Sequence, residues 1–258
     1  MLNFKNVNIV TILLIIAVVV GYFTFNFSLV WLVPIGLIWF TLTAIGSFHI
    51  GWNYHLDSLL SNPDTKKQQV AITFDDGPHP EFTPKVLDLL SRFNAKATFF
   101  CIGKNIEKHP ELLKKIIADG HTVGNHTFSH TNNFGFLSTV KVIDELHRTN
   151  AIIKEVSGFQ SKLYRPAFGV TNPRIKKALR QTKLLSIGWN QRSLDTTNLS
   201  KEKILKRITT NHKKGDVILL HDTSEKSVRV LEQYLLFLQQ NKTASVTIDA
   251  LFNIEPYA

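Results

Sequence analysis

Val70-Ala71-Ile72-Thr73-Phe74-Asp75-Asp76-Gly77-Pro78 joins an apolar, β-branched run to two adjacent carboxylates and a chain-turning Gly-Pro. The run 70–74 is short and apolar, which predicts a buried strand. Asp75 and Asp76 then stand at its carboxyl end, where Gly77-Pro78 turns the chain. Neighbouring side chains on an extended backbone point opposite ways, so the two carboxylates can hold different tasks. One can bind a cation while the other takes a proton from water.

The same rhythm continues downstream. Strands are expected at 97–102, 122–125, 163–165, 184–189, 217–221 and 246–248, and helices near 83–93, 110–119, 137–156, 173–181, 201–213 and 227–240. This alternation predicts an α/β fold, a parallel sheet or barrel with its chemistry at the carboxyl ends of the strands. Those ends are polar. Asp75-Asp76 close the first strand, and His126 and His130 follow the third. Arg165 closes the fourth, Asp195 follows the fifth, and His221-Asp222 end the sixth. Asp76, His126 and His130 offer one carboxylate and two imidazoles. That donor set suits a catalytic zinc or related divalent ion, with positions left for water and substrate. The His-x-x-x-His spacing is expected to set both rings one helical turn apart, facing one ion.

Four segments taken together carry a resemblance: Thr73-Phe74-Asp75-Asp76-Gly77-Pro78, His126-Thr127-Phe128-Ser129-His130, Arg165-Pro166-Ala167-Phe168-Gly169 and Leu219-Leu220-His221-Asp222. They resemble the motifs of the NodB-type polysaccharide deacetylases, carbohydrate esterase family 4, over residues 68–258. The resemblance implies a distorted (β/α) barrel of the NodB homology type. It also implies a metal-dependent hydrolase removing N-acetyl groups from an amino-sugar polymer: peptidoglycan, chitin or a lipid-linked glycan. Carried over position by position, Asp75 is the general base, and Asp76, His126 and His130 hold the metal, zinc first and cobalt or another divalent ion as alternatives. Arg165 holds Asp75, and the backbone N–H of Phe168 stabilises the oxyanion. Leu219 lines the acetyl pocket, His221 is the general acid, and Asp195 orients His221 and raises its pKa. The fourth motif departs from the family pattern Asp-Ser-x-Asp-Trp, reading Arg192-Ser193-Leu194-Asp195-Thr196. Arg192 either adds positive charge beside the site, favouring an acidic or phosphorylated glycan, or lies at the surface. Thr196 opens one pocket wall. Two competing functions stay open: a glycan-binding protein of the same fold without catalysis, and a metal-dependent amidase on a non-sugar C–N bond.

Upstream of the first strand the composition changes. Residues 1–48 carry one charge, Lys5, and hold two uncharged apolar runs at 9–25 and 27–48. Each approaches the ~20 helical residues that a bilayer core requires, so a two-helix transmembrane hairpin is expected, with helices at about 8–25 and 28–48. A cleaved signal peptide is the alternative for the first run alone. Residues 49–67 are expected to be a juxtamembrane linker. A hairpin puts Met1 and the 68–258 domain on one side of the membrane, and Lys5, Lys66 and Lys67 mark that side as cytoplasmic only weakly. The net charge of +10 is spread over paired lysines without a nucleic-acid-binding signature. The lone Cys101 excludes an intrachain disulfide and reads as a buried strand position.

Overall fold

The computed structural model describes residues 2–258, so the expectation for Met1 lies outside the described residues. Strand β1 (Gln69–Asp75) is buried along its whole length. Its neighbours β2 (Ala97–Cys101), β3 (Thr122–Asn125), β4 (Leu163–Tyr164) and β5 (Leu185–Ser186) pair in parallel on one side. On the other side lie β7 (Val217–His221) and then β6 (Gln191–Arg192), also parallel. The sheet order is β5-β4-β3-β2-β1-β7-β6, with β8 (Ala244–Ser245) paired to β1. The sheet curls into a parallel half-barrel, in agreement with the fold class the sequence implies.

Alternation along β1 explains why both its faces are dry. Val70, Ile72 and Phe74 join a core cluster with residues of the surrounding helices α3 (Phe82–Arg92), α5 (Pro110–Ala118), α8 (Lys201–Thr209) and α9 (Glu225–Gln240). Ala71 joins a second cluster with Phe100, Leu163, Ile187, Trp189 and Leu219. Each fully buried aliphatic or aromatic side chain contributes roughly 1.5–3 kcal/mol. Between β5 and β6 the sheet edge stays open, and residues 59–61 cover it. Leu59 bridges Ile187 and Ser61 bridges Asp216.

Helices α6 (Thr139–Ser157) and α7 (Pro173–Thr182) complete the outer layer. The structure adds two short helices absent from the sequence expectation, α4 (Gly103–Lys108) and α10 (Ile248–Phe252), as well as the two-residue β6. The last strand was expected at 246–248 and lies instead at Ala244–Ser245. Thr247 caps α10 by accepting from the Ala250 N–H, which diverts the chain from the sheet.

At the N-terminus α1 (Phe4–Phe25) and α2 (Leu32–Phe48) form an antiparallel pair joined at Asn26, whose φ of 59° reverses the chain. The candidate spans Phe4–Phe25 and Leu29–Phe48 have mean hydropathies of 2.5 and 2.0 and are almost wholly uncovered by protein. Their length and composition suit membrane spans; the first also suits a signal sequence. Residues 49–67 are not a free linker. Tyr54, His55, Leu56 and Ser58 are buried, and the Leu59 N–H donates to the Ser186 carbonyl at 3.0 Å. The base of the hairpin is bound to the domain as well. Phe4 N–H donates to Tyr54 O at 2.9 Å, and Thr171 N–H donates to Ser47 O at 2.9 Å.

Candidate active site

Asp75 ends β1 facing the barrel interior, where Arg165 meets it directly after β4. Arg165 is wholly buried, and its Nη1 donates to Asp75 Oδ1 at 2.9 Å and to Thr73 Oγ1 at 2.6 Å. Its Nη2 donates to the Gly188 carbonyl at 2.9 Å and its Nε to that of Ile187 at 3.3 Å. The Phe100 ring lies 4.1 Å from the guanidinium carbon. Arg165 therefore ties Asp75 to the open seam of the barrel. Removing either partner of such a buried pair costs about 3–5 kcal/mol.

Asp76 takes a φ of 73°, which swings its carboxylate out of the strand line. Its Oδ1 lies 3.4 Å from both His126 Nε2 and His130 Nε2. That oxygen is buried and has no hydrogen-bond partner. The three donor atoms lie within 4.8 Å of one another. An orphaned carboxylate oxygen beside two ring nitrogens fits a divalent cation, since a buried acceptor without a partner is otherwise unfavourable. His126 Nδ1 pairs with the Arg165 carbonyl at 3.0 Å, a contact that leaves Nε2 free as a ligand. Burial, with His126 nearby, pushes His130 down to about 4, so that its ring is neutral. Burial opposes the charged form of Asp76, but the His126 ring and its charge beside it, then those of His130 and His221, hold its carboxyl well below the usual range. The two histidines come together on a loop, not on the helical turn expected from their spacing. Thr127 and His130 have φ values of 67° and 46°, and these two left-handed residues fold the segment back.

His221 closes β7 beside Asp75, to which it is paired in register. Its Nδ1 lies 2.8 Å from Asp195 Oδ1, and its backbone N–H donates to Asp195 Oδ2 at 2.8 Å. Burial would lower His221, yet the bond and charge of Asp195, with Asp75 and Asp76, push it up to about 9. Asp195 is itself wholly buried and lies below its ordinary value. Burial opposes that shift, and the His221 bond outweighs it. Asp222, the other acid of this strand end, stays out of the pocket. The Thr83 hydroxyl donates to it, burial raises it to about 7, and it lies so close to Gly77 that no Cβ fits there.

Asp75, Asp76, His126, His130, Phe168, Leu219 and His221 all line one pocket of about 220 Å³. Arg165 and Asp195 stand behind it. Phe168 takes a φ of 57°, and its backbone N–H has no intramolecular acceptor among the described residues. Trp189, Arg192, Leu194 and Thr196 also line the wall, and Arg192 is exposed there, so it lies both beside the site and at the surface. Sequence reasoning missed Trp189 in this wall. It also missed Glu145 on α6, whose carboxylate accepts from Ser129 N–H at 2.7 Å, Phe128 N–H at 3.0 Å and Ser129 Oγ at 2.8 Å, pinning the histidine loop. Ser227, which donates to Asp195 Oδ2 at 2.8 Å, was missed as well.

The arrangement has known counterparts. The family model described as polysaccharide deacetylase matches residues 62–187. A peptidoglycan-N-acetylglucosamine deacetylase of Bacillus cereus is 35% identical over 191 residues, covering 72% of this chain and 69% of the relative. The peptidoglycan-N-acetylmuramic acid deacetylase PdaC of Bacillus subtilis is 29% identical, and the match spans 74% of this chain but only 40% of that protein. The solved Bc1960 peptidoglycan N-acetylglucosamine deacetylase, in complex with 4-naphthalen-1-yl-N-oxidanyl-benzamide, superposes with a TM-score of 0.72 at 34% identity, over 77% of this chain and 94% of that one. With the half-barrel and the strand-end motifs, these matches make the chain a member of the polysaccharide deacetylase family, enzymes of hydrolytic N-deacetylation.

Proposed function

We propose that the chain is a membrane-anchored, metal-dependent deacetylase that hydrolyses the N-acetyl group of an amino-sugar glycan of the peptidoglycan class. The observation that carries this reading is the single pocket in which Asp75, the Asp76-His126-His130 cluster and His221 meet. The relatives' names support the substrate class, and the two apolar helices support an anchor at 1–48 ahead of a catalytic domain at 68–258.

Asp76, His126 and His130 would hold the divalent ion, zinc by the chemistry of the donors, which supplies Lewis acidity to the acetyl carbonyl and to the attacking water. The protein's groups then divide the proton work. Asp75, fixed by Arg165, takes a proton from the water as its oxygen bonds to the carbonyl carbon. The Phe168 N–H donates to the carbonyl oxygen as it gains charge, and Leu219 takes the methyl group. His221, protonated and held by Asp195, gives its proton to the amine nitrogen as the C–N bond breaks. The products are acetate and the free amino sugar.

Acetate release from acetylated peptidoglycan fragments tests this. His221→Ala is expected to lose roughly 10²–10⁴-fold in turnover, the usual contribution of general acid–base catalysis. His126→Ala is expected to purify without the ion. Wild-type turnover in both variants, or full activity after chelation, sinks the assignment.

A further inference from the structure

A second cavity opens beside the catalytic pocket and shares with it the wall of Trp189, Arg192 and Leu194. It encloses about 940 Å³. Lys203, Lys206 and Arg207 of α8 line one side, and Phe48 and His49, where α2 ends, line another. Positions 203, 206 and 207 recur at helical spacing, while Ile204 and Ile208 are buried on the opposite face. Arg207 is positioned by its Nε, which donates to the Arg192 carbonyl at 2.7 Å.

The charge is one-sided. No aspartate or glutamate lines this cavity. Among the described residues, no carboxylate pairs with Arg192, Lys203, Lys206 or Arg207. Between α3 and α9, by contrast, the cations meet carboxylates: Lys85 meets Glu81 and Glu225, Arg92 meets Asp88 and Glu232, and Arg229 meets Glu225. A solubilising surface of that kind mixes its signs. Four cations around one space without a counter-charge create a positive potential suited to an anion, and guanidinium forks match phosphate oxygens.

The cavity's position narrows the source of that anion. Phe48, the last residue of the second apolar span, is part of its lining. Lipid phosphates lie at the depth where an apolar helix leaves the bilayer core. Outside the cavity, Phe136 is 81% exposed and Val140 76%, apolar side chains left without protein cover. The Phe136 segment is tied back to α2, because Asn172 Nδ2 donates to Gly135 O at 2.8 Å and the adjacent Thr171 N–H donates to Ser47 O at 2.9 Å.

We propose, resting on the deacetylase reading above, that the substrate is a glycolipid: an N-acetylated amino sugar joined to a membrane lipid through phosphate or pyrophosphate. The sugar occupies the catalytic pocket and the phosphate occupies the basic cavity. Arg192 stands between the two sites and contacts both parts of the substrate.

The test uses the full chain in phosphatidylcholine nanodiscs with zinc. Acetate release is compared for N-acetylglucosaminyl-pyrophosphoryl-polyprenol, for the neutral octyl N-acetylglucosaminide, and for soluble acetylated chitopentaose. The pyrophosphoryl lipid is expected to exceed the neutral glycoside in kcat/KM by about tenfold or more, the change expected from a charged hydrogen bond. The Lys203→Gln/Lys206→Gln double variant is expected to bring that ratio toward one. A wild-type ratio near one overturns the proposal, and so does a ratio that the double variant leaves untouched. If added phosphatidylglycerol lifts the neutral glycoside to the rate of the pyrophosphoryl lipid, the cavity serves bulk headgroups and the proposal falls. Deacetylation of chitopentaose alone rejects the glycolipid and spares the deacetylase reading. Acetate from none of the three rejects both.

Discussion

At the scale of single residues, the protonation of His221 is the property most open to measurement. Its ordinary value of 6.5 is raised to about 9. Burial acts against the charged ring, and the Asp195 hydrogen bond and charge outweigh it. A group raised on folding adds stability that is fully present below pH 6.5 and is lost as the pH climbs through about 9. The same window governs the acid role. Turnover is expected to hold through neutrality and to fall on the alkaline side near pH 9. Asp195→Asn keeps an acceptor for Nδ1 and removes the charge, so the alkaline limb is expected to move toward pH 6.5 while metal content stays. Its melting temperature is expected to trail the wild type at pH 6 and to approach it at pH 9.5. An alkaline limb that stays in place in the pH profile of kcat would assign the proton donor to another group.

Among the elements, the loop between β3 and α6 depends most on a residue remote in sequence. Glu145 binds two backbone N–H groups and a hydroxyl of Phe128 and Ser129, between the two histidines. Glu145→Ala releases that turn and leaves the left-handed residues Thr127 and His130 to relax. Zinc affinity is expected to drop by roughly 10–100-fold, the range for residues that orient metal ligands, with the fold retained in circular dichroism. Unchanged affinity in a competition titration would show that the loop holds itself. Glu145 was invisible in the sequence because it is one acid on an amphipathic helix, with nothing local to separate it from Glu155 or Asp144. The strand-end residues were legible for the opposite reason. Asp75, Arg165 and His221 each follow an apolar run, and a parallel sheet brings such ends to one face. The shape of the histidine segment was not legible, since four-residue spacing is shared by helices and by turns built on positive φ. Residues 49–67 read as a juxtamembrane linker. Their burial depends on the open edge between β5 and β6, a tertiary feature that leaves no local pattern.

At the scale of the molecule, the hairpin and the catalytic domain are separable in core but joined at their contact. None of the three core clusters includes a residue before Ile50. A chain lacking residues 1–48 is therefore expected to fold and to be soluble. It loses the Thr171–Ser47 bond and uncovers Tyr54, which is 2% exposed in the full chain. A backbone bond contributes about 1 kcal/mol, so a drop of a few degrees in melting temperature is expected, with slower turnover on soluble glycans through the loop that carries Phe168. Aggregation of that chain under conditions where the full protein is monodisperse in detergent would assign the helices to the fold itself. If the hairpin is the proposed anchor, its double attachment, at Tyr54 and at Thr171, also sets how far the enzyme can work from its support. A catalytic head on a floppy stalk sweeps a shell whose radius grows with the square root of stalk length. With the hairpin embedded in a bilayer, this head has no leash: both roots are bound to it, and its working height is fixed. On the anchored-deacetylase reading, glycan would have to come to the membrane to be trimmed, and strands already assembled farther out would be beyond its range. Amines left by such an enzyme would mark material at the moment of delivery, leaving a record of where each strand began instead of a uniform coat.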